Sequence, residues 1–191
     1  MARRARELDP AVAVHAVPGD LWDTLGFGAL RGYRCVIGAL DNFEARLRVN
    51  LLCWIAGVDW VNAAIDSRYV TVESFPFSRA GDDVPVACYE CGLPASAYQR
   101  IAERYSCGGL QRVAAQARVI PTTAITASFA GAQAVNRALT EAGSGAGMGA
   151  GVGAGTAAGA DTSVPGADVR HAARWLLDTR TGRASVATLE R

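Results

Sequence analysis

The run CVIGAL at residues 35–40, passing directly into Asp41-Asn42, constrains this chain more than any other stretch. Six consecutive apolar residues of this kind form a strand covered on both faces, and the Asp-Asn pair places a helix start at its carboxyl end. Leu47, Leu51 and Trp54 mark that helix's inward stripe, and Gly57 suits its end. VDWVNAAI (58–65) is a second strand, and YVTVESFPF (69–77) alternates like a more exposed one. Helices follow over Ala95–Tyr105, with Tyr98, Ile101, Ala102 and Tyr105 on one side, and beyond Pro121, where Ile125, Phe129, Ala132, Val135 and Leu139 recur at helical spacing. Thr122 or Thr123 caps the latter. Strands alternating with helices imply an α/β fold, a mainly parallel sheet with crossover helices.

The ends are read less regularly. Residues 1–8 form a helix closed by Asp9-Pro10, VAVHAV (12–17) is β-prone, and Asp20 caps a loose helical stretch through Leu21, Leu25 and Leu30. ARWLLD, the turn TRTG and RASVATL (173–189) read as a β-hairpin that extends the sheet. Between, residues 142–160 are almost purely Gly and Ala. So little side chain cannot offset the ordering entropy, so the stretch reads as a flexible linker.

Composition bounds the function. The 191 residues suffice for one domain, and a net charge of +1 argues against a nucleic-acid partner. All 19 basic residues are Arg, so no step requiring a lysine amine can use this chain alone. MARRARELDP is followed by no apolar run of a secretory signal, and no stretch approaches a membrane span. Five cysteines without a signal favour thiols, a metal site or a catalytic cysteine over a disulfide framework, and a cytoplasmic setting.

Three places carry chemistry. Asp41 lies where doubly wound sheets bind ligands, so its carboxylate can hold a metal beside phosphates. Asp41-x-x-Glu44 is equally a capping box. Cys88-Tyr-Glu-Cys91 supplies two of the four thiolates of a zinc site, or is a pair of free cysteines; a thioredoxin-like pair requires a helix directly after it. Cys107, in RYSCGGL beside Arg104, is a nucleophilic thiolate or a loop thiol. His15 and Cys35 fall in expected strands and read as core.

The order of these motifs resembles a known family. DNFEARLRVN (41–50) gives Asp41, Arg46 and Asn50 in the pattern D-N-x-x-x-R-x-x-x-N, after CVIGAL and before VDWVNAAI, CYEC, RYSC and VIPTTAITASFAGAQAVNRAL. That succession is similar to the ThiF/MoeB family of adenylyltransferases, relatives of the ubiquitin-activating enzymes. The resemblance implies a Rossmann-like sheet that binds Mg-ATP and adenylates the C-terminal glycine of a ubiquitin-like or sulfur-carrier protein. It casts Asp41 as the carboxylate on the metal between the phosphates, with Arg46 and Asn50 holding the nucleotide-binding region. It also casts Cys88 and Cys91 as half of a structural zinc site, and Cys107 as a thioester- or persulfide-forming cysteine.

The family pattern also implies what the chain departs from. Its glycine-rich loop, ribose carboxylate, Arg and Lys precede the part that Leu8 onward resembles, and its second CxxC follows the hairpin. The sheet is therefore expected to be incomplete at both ends. The expected division is residues 1–141 as the central and C-terminal part of the adenylation domain, 142–168 as a flexible insertion and 169–191 as its hairpin. The isolated chain is expected not to bind Mg-ATP, and to associate as a homodimer or with a partner chain. The other reading is a non-catalytic fragment serving as a binding or dimerisation module.

Overall fold

The computed structural model describes residues 2–65, 68–77, 86–105, 122–143 and 171–190, with the side chains of 103–105 and 141–143 outside that description. A five-stranded sheet runs in sequence order: β1 (Cys35–Ala39), β2 (Asp59–Ile65), β3 (Tyr69–Phe75), β4 (Ala173–Asp178) and β5 (Arg183–Thr188). Three short helices precede it, α1 (Ala2–Leu8), α2 (Leu21–Thr24) and α3 (Phe27–Leu30). Helix α4 (Phe43–Ala56) joins β1 to β2, while α5 (Ala95–Tyr105) and α6 (Ala124–Gly143) lie between β3 and β4.

The α/β class and the C-terminal hairpin stand as expected, but the sheet is mixed rather than mainly parallel. Only β1 and β2 pair in parallel, with Cys35 opposite Asp59 and Ala39 opposite Ala63. The other three pairings are antiparallel. Chain length explains two of these: residues 66–68 and 179–182 are too short for a crossover and permit only hairpins, whereas α4 has the length a parallel return needs.

The sheet has two cores. On one face Trp60 and Phe75 stack at 5.4 Å, and Tyr89 meets both edge-on at 5.3 and 6.0 Å. Val49, Leu52 and Cys53 of α4 close over them. On the other face Val61, Val70, Val72 and Leu177 receive Ala130, Ala134 and Ala138 of α6. Burying each large side chain contributes roughly 1.5–3 kcal/mol. Gly57 ends α4 at φ 73°, the left-handed conformation that favours glycine, and its N–H reaches the Cys53 and Trp54 carbonyls.

Several expectations are corrected. VAVHAV is irregular, with no strand beside it among the described residues to complete a ladder; His15 is exposed there, and the Val14 carbonyl accepts a hydrogen bond from Arg6. Strand β1 is not covered on both faces, since it is the outermost strand and Ile37 is 43 % exposed. Strand β3 is not the exposed one: it lies between β2 and β4, with Val70 and Val72 buried. In α4 the inward face is Ala45, Val49, Leu52 and Cys53, while Leu51 and Trp54 are exposed. That helix carries apolar residues on several sides, so spacing alone does not choose between them. In α6 the sheet selects the small face, Thr126, Ala130, Ala134 and Ala138, because alanines let a helix approach closely. The large stripe of Ile125, Phe129, Val135 and Leu139 is left outward. In α5 the buried contact is Ala97, with Tyr98 partly exposed.

Candidate functional site

The segment between β1 and α4 is shaped by its caps. Asn42 is the N-cap: its backbone is extended and its Oδ1 accepts from the Ala45 N–H at 2.8 Å. This corrects the expected capping box of Asp41 with Glu44, because Asp41 sits one residue too early to reach the first turn. Its carboxylate is left exposed at the carboxyl end of β1, with Oδ1 accepting from the Asn42 side-chain amide at 2.8 Å. Asp20 caps α2 and Thr123 caps α6, as read from the sequence.

Arg46 and Asn50 lie one and two turns along α4, and both turn inward. The Arg46 guanidinium donates to the Leu40 carbonyl, immediately before Asp41. Its Nε is buried with no partner among the described residues. Asn50 Oδ1 accepts from the Tyr89 N–H at 3.1 Å. Asn50 therefore grips the CYEC turn, and Arg46 holds the end of β1 that leads into Asp41.

The CYEC residues form a 3₁₀ turn over Tyr89–Gly92. A three-residue repeat puts Cys88 and Cys91 on one side, 3.5 Å apart at sulfur, and sends Tyr89 inward to 6 % exposure. Two 2.3 Å zinc–sulfur bonds at a tetrahedral angle span about 3.8 Å, so the pair fits two positions of a zinc site. Among the described residues no group of three or more His, Cys, Asp or Glu is placed to hold a metal. Glu90 accepts the Tyr98 hydroxyl at 2.7 Å, and that hydrogen bond first, then burial, pushes the Tyr98 pKa up to about 12. Burial likewise pushes the Cys53 thiol up to about 12, reinforced by Cys35 nearby. Tyr89 is raised from 10 chiefly by burial, which outweighs the opposing hydrogen bond from Arg46. Cys107 lies outside the described residues.

Asp41 and Arg46 stand at one end of a cleft of about 530 Å³ between β1, β2 and α6. Its walls are small or apolar, including Ile37, Ala63 and Ala130, and Thr122 also lines it. A mainly apolar pocket of a few hundred cubic ångströms with a few convergent polar groups is the usual form of a small-ligand site. Sequence reasoning placed Asp41 here but missed Tyr89. The signal was available: two cysteines three apart in a tight turn leave the residue after the first pointing the other way.

A parallel βαβ unit with an acidic residue at its strand end, followed by a CxxC turn clamped to the same helix, defines a class. The chain belongs to the ThiF family, whose pattern it matches over residues 1–150.

Among its relatives is ubiquitin-like modifier-activating enzyme 5 of Drosophila grimshawi, 34% identical over 94 residues. That alignment covers 49% of this chain and 22% of the relative. The Drosophila melanogaster enzyme of the same name is 33% identical over 95 residues, with the same coverage. The chain thus spans about a fifth of the length of these relatives. In fold it is similar to E. coli MccB solved with succinimide, at TM-score 0.56 and 15% identity, covering 99% of this chain and 46% of that one. It is similar also to E. coli MccB with ATP, at TM-score 0.56 and 14% identity, covering 100% and 46%. Among the described residues no helix is long and apolar enough to cross a membrane.

Proposed function

We propose that this chain supplies the carboxylate side of an ATP-dependent adenylation site acting on the C-terminal glycine of a ubiquitin-like or sulfur-carrier protein. One observation carries the reading: Asn42 takes the helix cap, which leaves the Asp41 carboxylate exposed at the carboxyl end of β1 and at the mouth of the cleft. The Drosophila relatives named as modifier-activating enzymes, and E. coli MccB, solved with ATP and with MccA, support it.

In this reaction the carrier's terminal carboxylate oxygen attacks the α-phosphorus of Mg-ATP. A new phosphorus–oxygen bond forms, the bond to pyrophosphate breaks, and pyrophosphate leaves with the electron pair. Asp41 would hold the magnesium of the substrate, and that cation would offset charge on the phosphates. Arg46 orders the peptide that leads into Asp41, and Asn50 orders the CYEC turn. Cys107 as a thioester- or persulfide-forming cysteine, a zinc ion completed by ligands beyond Cys88 and Cys91, and a cytoplasmic location belong to the same proposal. So does the division into residues 1–141, 142–168 and 169–191.

The test is pyrophosphate exchange into ATP by the protein purified with its natural assembly partners. Exchange that requires both the carrier and Asp41 supports the proposal, and carrier-independent exchange, or none, opposes it.

A second reading, a binding or dimerisation module without catalysis, draws on a different observation. Ile125, Phe129, Val135 and Leu139 leave an outward apolar stripe on α6, more than a lone surface helix needs. Sedimentation of the purified chain tests it: association that Phe129→Ser weakens favours such a module, and a monodisperse monomer opposes it.

A further inference from the structure

We propose that Cys88 and Cys91 form a reversible dithiol–disulfide couple, oxidised by a small disulfide of the glutathione class, and that the couple sets whether the two sulfurs are open to a cation. This chemistry is independent of the adenylation reading above.

The turn brings the two sulfurs together before any bond joins them. They stand 3.5 Å apart, with Cys91 exposed and Cys88 half-exposed. The Cys88 N–H donates to Cys91 Sγ at 3.5 Å, and the Cys91 N–H donates to the Cys88 carbonyl at 3.1 Å. The second of these bonds closes a turn whose ends lie within about 7 Å at Cα, and disulfides span about 4.4–6.8 Å there. Drawing the sulfurs in to about 2.05 Å therefore asks for side-chain rotation and no new backbone course.

The turn is also pinned between its two cysteines. Asn50 Oδ1 accepts the Tyr89 N–H at 3.1 Å, and the Glu90 carboxylate accepts the Tyr98 hydroxyl at 2.7 Å. A pinned turn holds each thiol at high effective concentration beside the other, so the neighbouring sulfur resolves a mixed disulfide ahead of thiols from solution. Cys53 offers the contrast within the same chain: at 3 % exposure it is closed to such a reagent.

The exchange balances in two steps. The Cys91 thiolate, on the more exposed of the two residues, attacks one sulfur of glutathione disulfide. A bond from Cys91 to glutathione forms, the original sulfur–sulfur bond breaks, and one glutathione leaves as thiolate with the electron pair. Cys88 then gives its proton to solvent and attacks the Cys91 sulfur, and the second glutathione leaves in the same way. The chain's two thiols have lost two electrons, and glutathione disulfide has taken them up as two glutathiones. Excess glutathione runs the exchange backward. Joined sulfurs have no thiolate to offer, so only the reduced form can hold a cation between them.

The test incubates the full chain in glutathione disulfide with a chelator present, blocks the remaining thiols with iodoacetamide, and maps the peptides by mass. The parent should lose two alkylatable thiols, those of Cys88 and Cys91, and carry an internal disulfide with no glutathione attached. Excess glutathione should restore both. Cys88→Ser should instead keep one glutathione on Cys91, because the resolving sulfur is gone. Cys53 should stay unmodified in both chains, which also reports that the variant is folded. Both thiols remaining free in the parent overturns the proposal, as does lasting glutathione on either cysteine. A bond from Cys88 or Cys91 to another cysteine overturns it too, and so does a disulfide that excess glutathione fails to reopen.

Discussion

Replacing Gly38 with alanine perturbs the strand that leads to Asp41 without touching any residue of the site. A Cβ built on Gly38 stands 2.8 Å from Trp60 Nε1 and 3.4 Å from two ring carbons. Real Cβ atoms do not approach so closely, so something must move. Trp60 is 1 % exposed, stacked on Phe75 at 5.4 Å and in edge contact with Tyr89, so it has no open side to yield toward. Overpacking a filled core by one methyl costs about 1–3 kcal/mol. Against this, a strand glycine gives back roughly 0.5–1 kcal/mol when replaced, because its unfolded state is the freest of any residue. The net is a destabilisation of about 1–2 kcal/mol, or roughly 2–8 °C in Tm for a chain of this size. Urea unfolding followed by tryptophan fluorescence reads it as a lower midpoint at unchanged slope. A variant at least as stable as the parent refutes the packing argument.

The remaining predictions divide by link in the chain of argument. Asn42→Ala should cost about 1 kcal/mol of stability by removing the α4 cap, whereas Asp41→Asn should leave the urea midpoint unchanged; equal losses would return the cap to Asp41. At pH 8, Cys88 and Cys91 should react with a thiol reagent while Cys53 stays protected until unfolding, since burial holds its thiol protonated up to about 12. Mass mapping of the labelled chain decides this. Arg68 holds the Asp178 carboxyl well below the usual carboxylate range, so the stability this pair contributes is full above the ordinary pKa of about 4 and fades as pH falls below it. An acid titration of the melting midpoint should therefore fall less steeply below pH 4 in Arg68→Ala than in the parent.

Elements followed from local pattern, and their relations did not. CVIGAL, VDWVNAAI and the residue range of α5 were readable because apolar runs and helical spacing report local conformation directly. The direction of β3 was not, since it depends on how few residues separate it from β2, and its burial depends on strands far away in sequence. Which face of α6 meets the sheet was also hidden. Two apolar stripes run along that helix, and the flat valine surface of β2 and β3 chooses the one made of alanines. At the site, Asp41 was readable from its place after a strand, but its release from capping turned on one hydrogen bond to Asn42. Asn50 meets the backbone of Tyr89, a partner 39 positions along the chain that spacing cannot supply.

The most direct measurement is pyrophosphate exchange into ATP by the protein isolated from the cells that make it, with its partners retained, compared with the same preparation carrying Asp41→Asn. The account predicts carrier-dependent exchange in the parent, and a loss of about 10²–10³-fold in the variant at unchanged melting temperature, the scale of removing one preorganised electrostatic group. An Asp41→Asn preparation that exchanges as fast as the parent would contradict it.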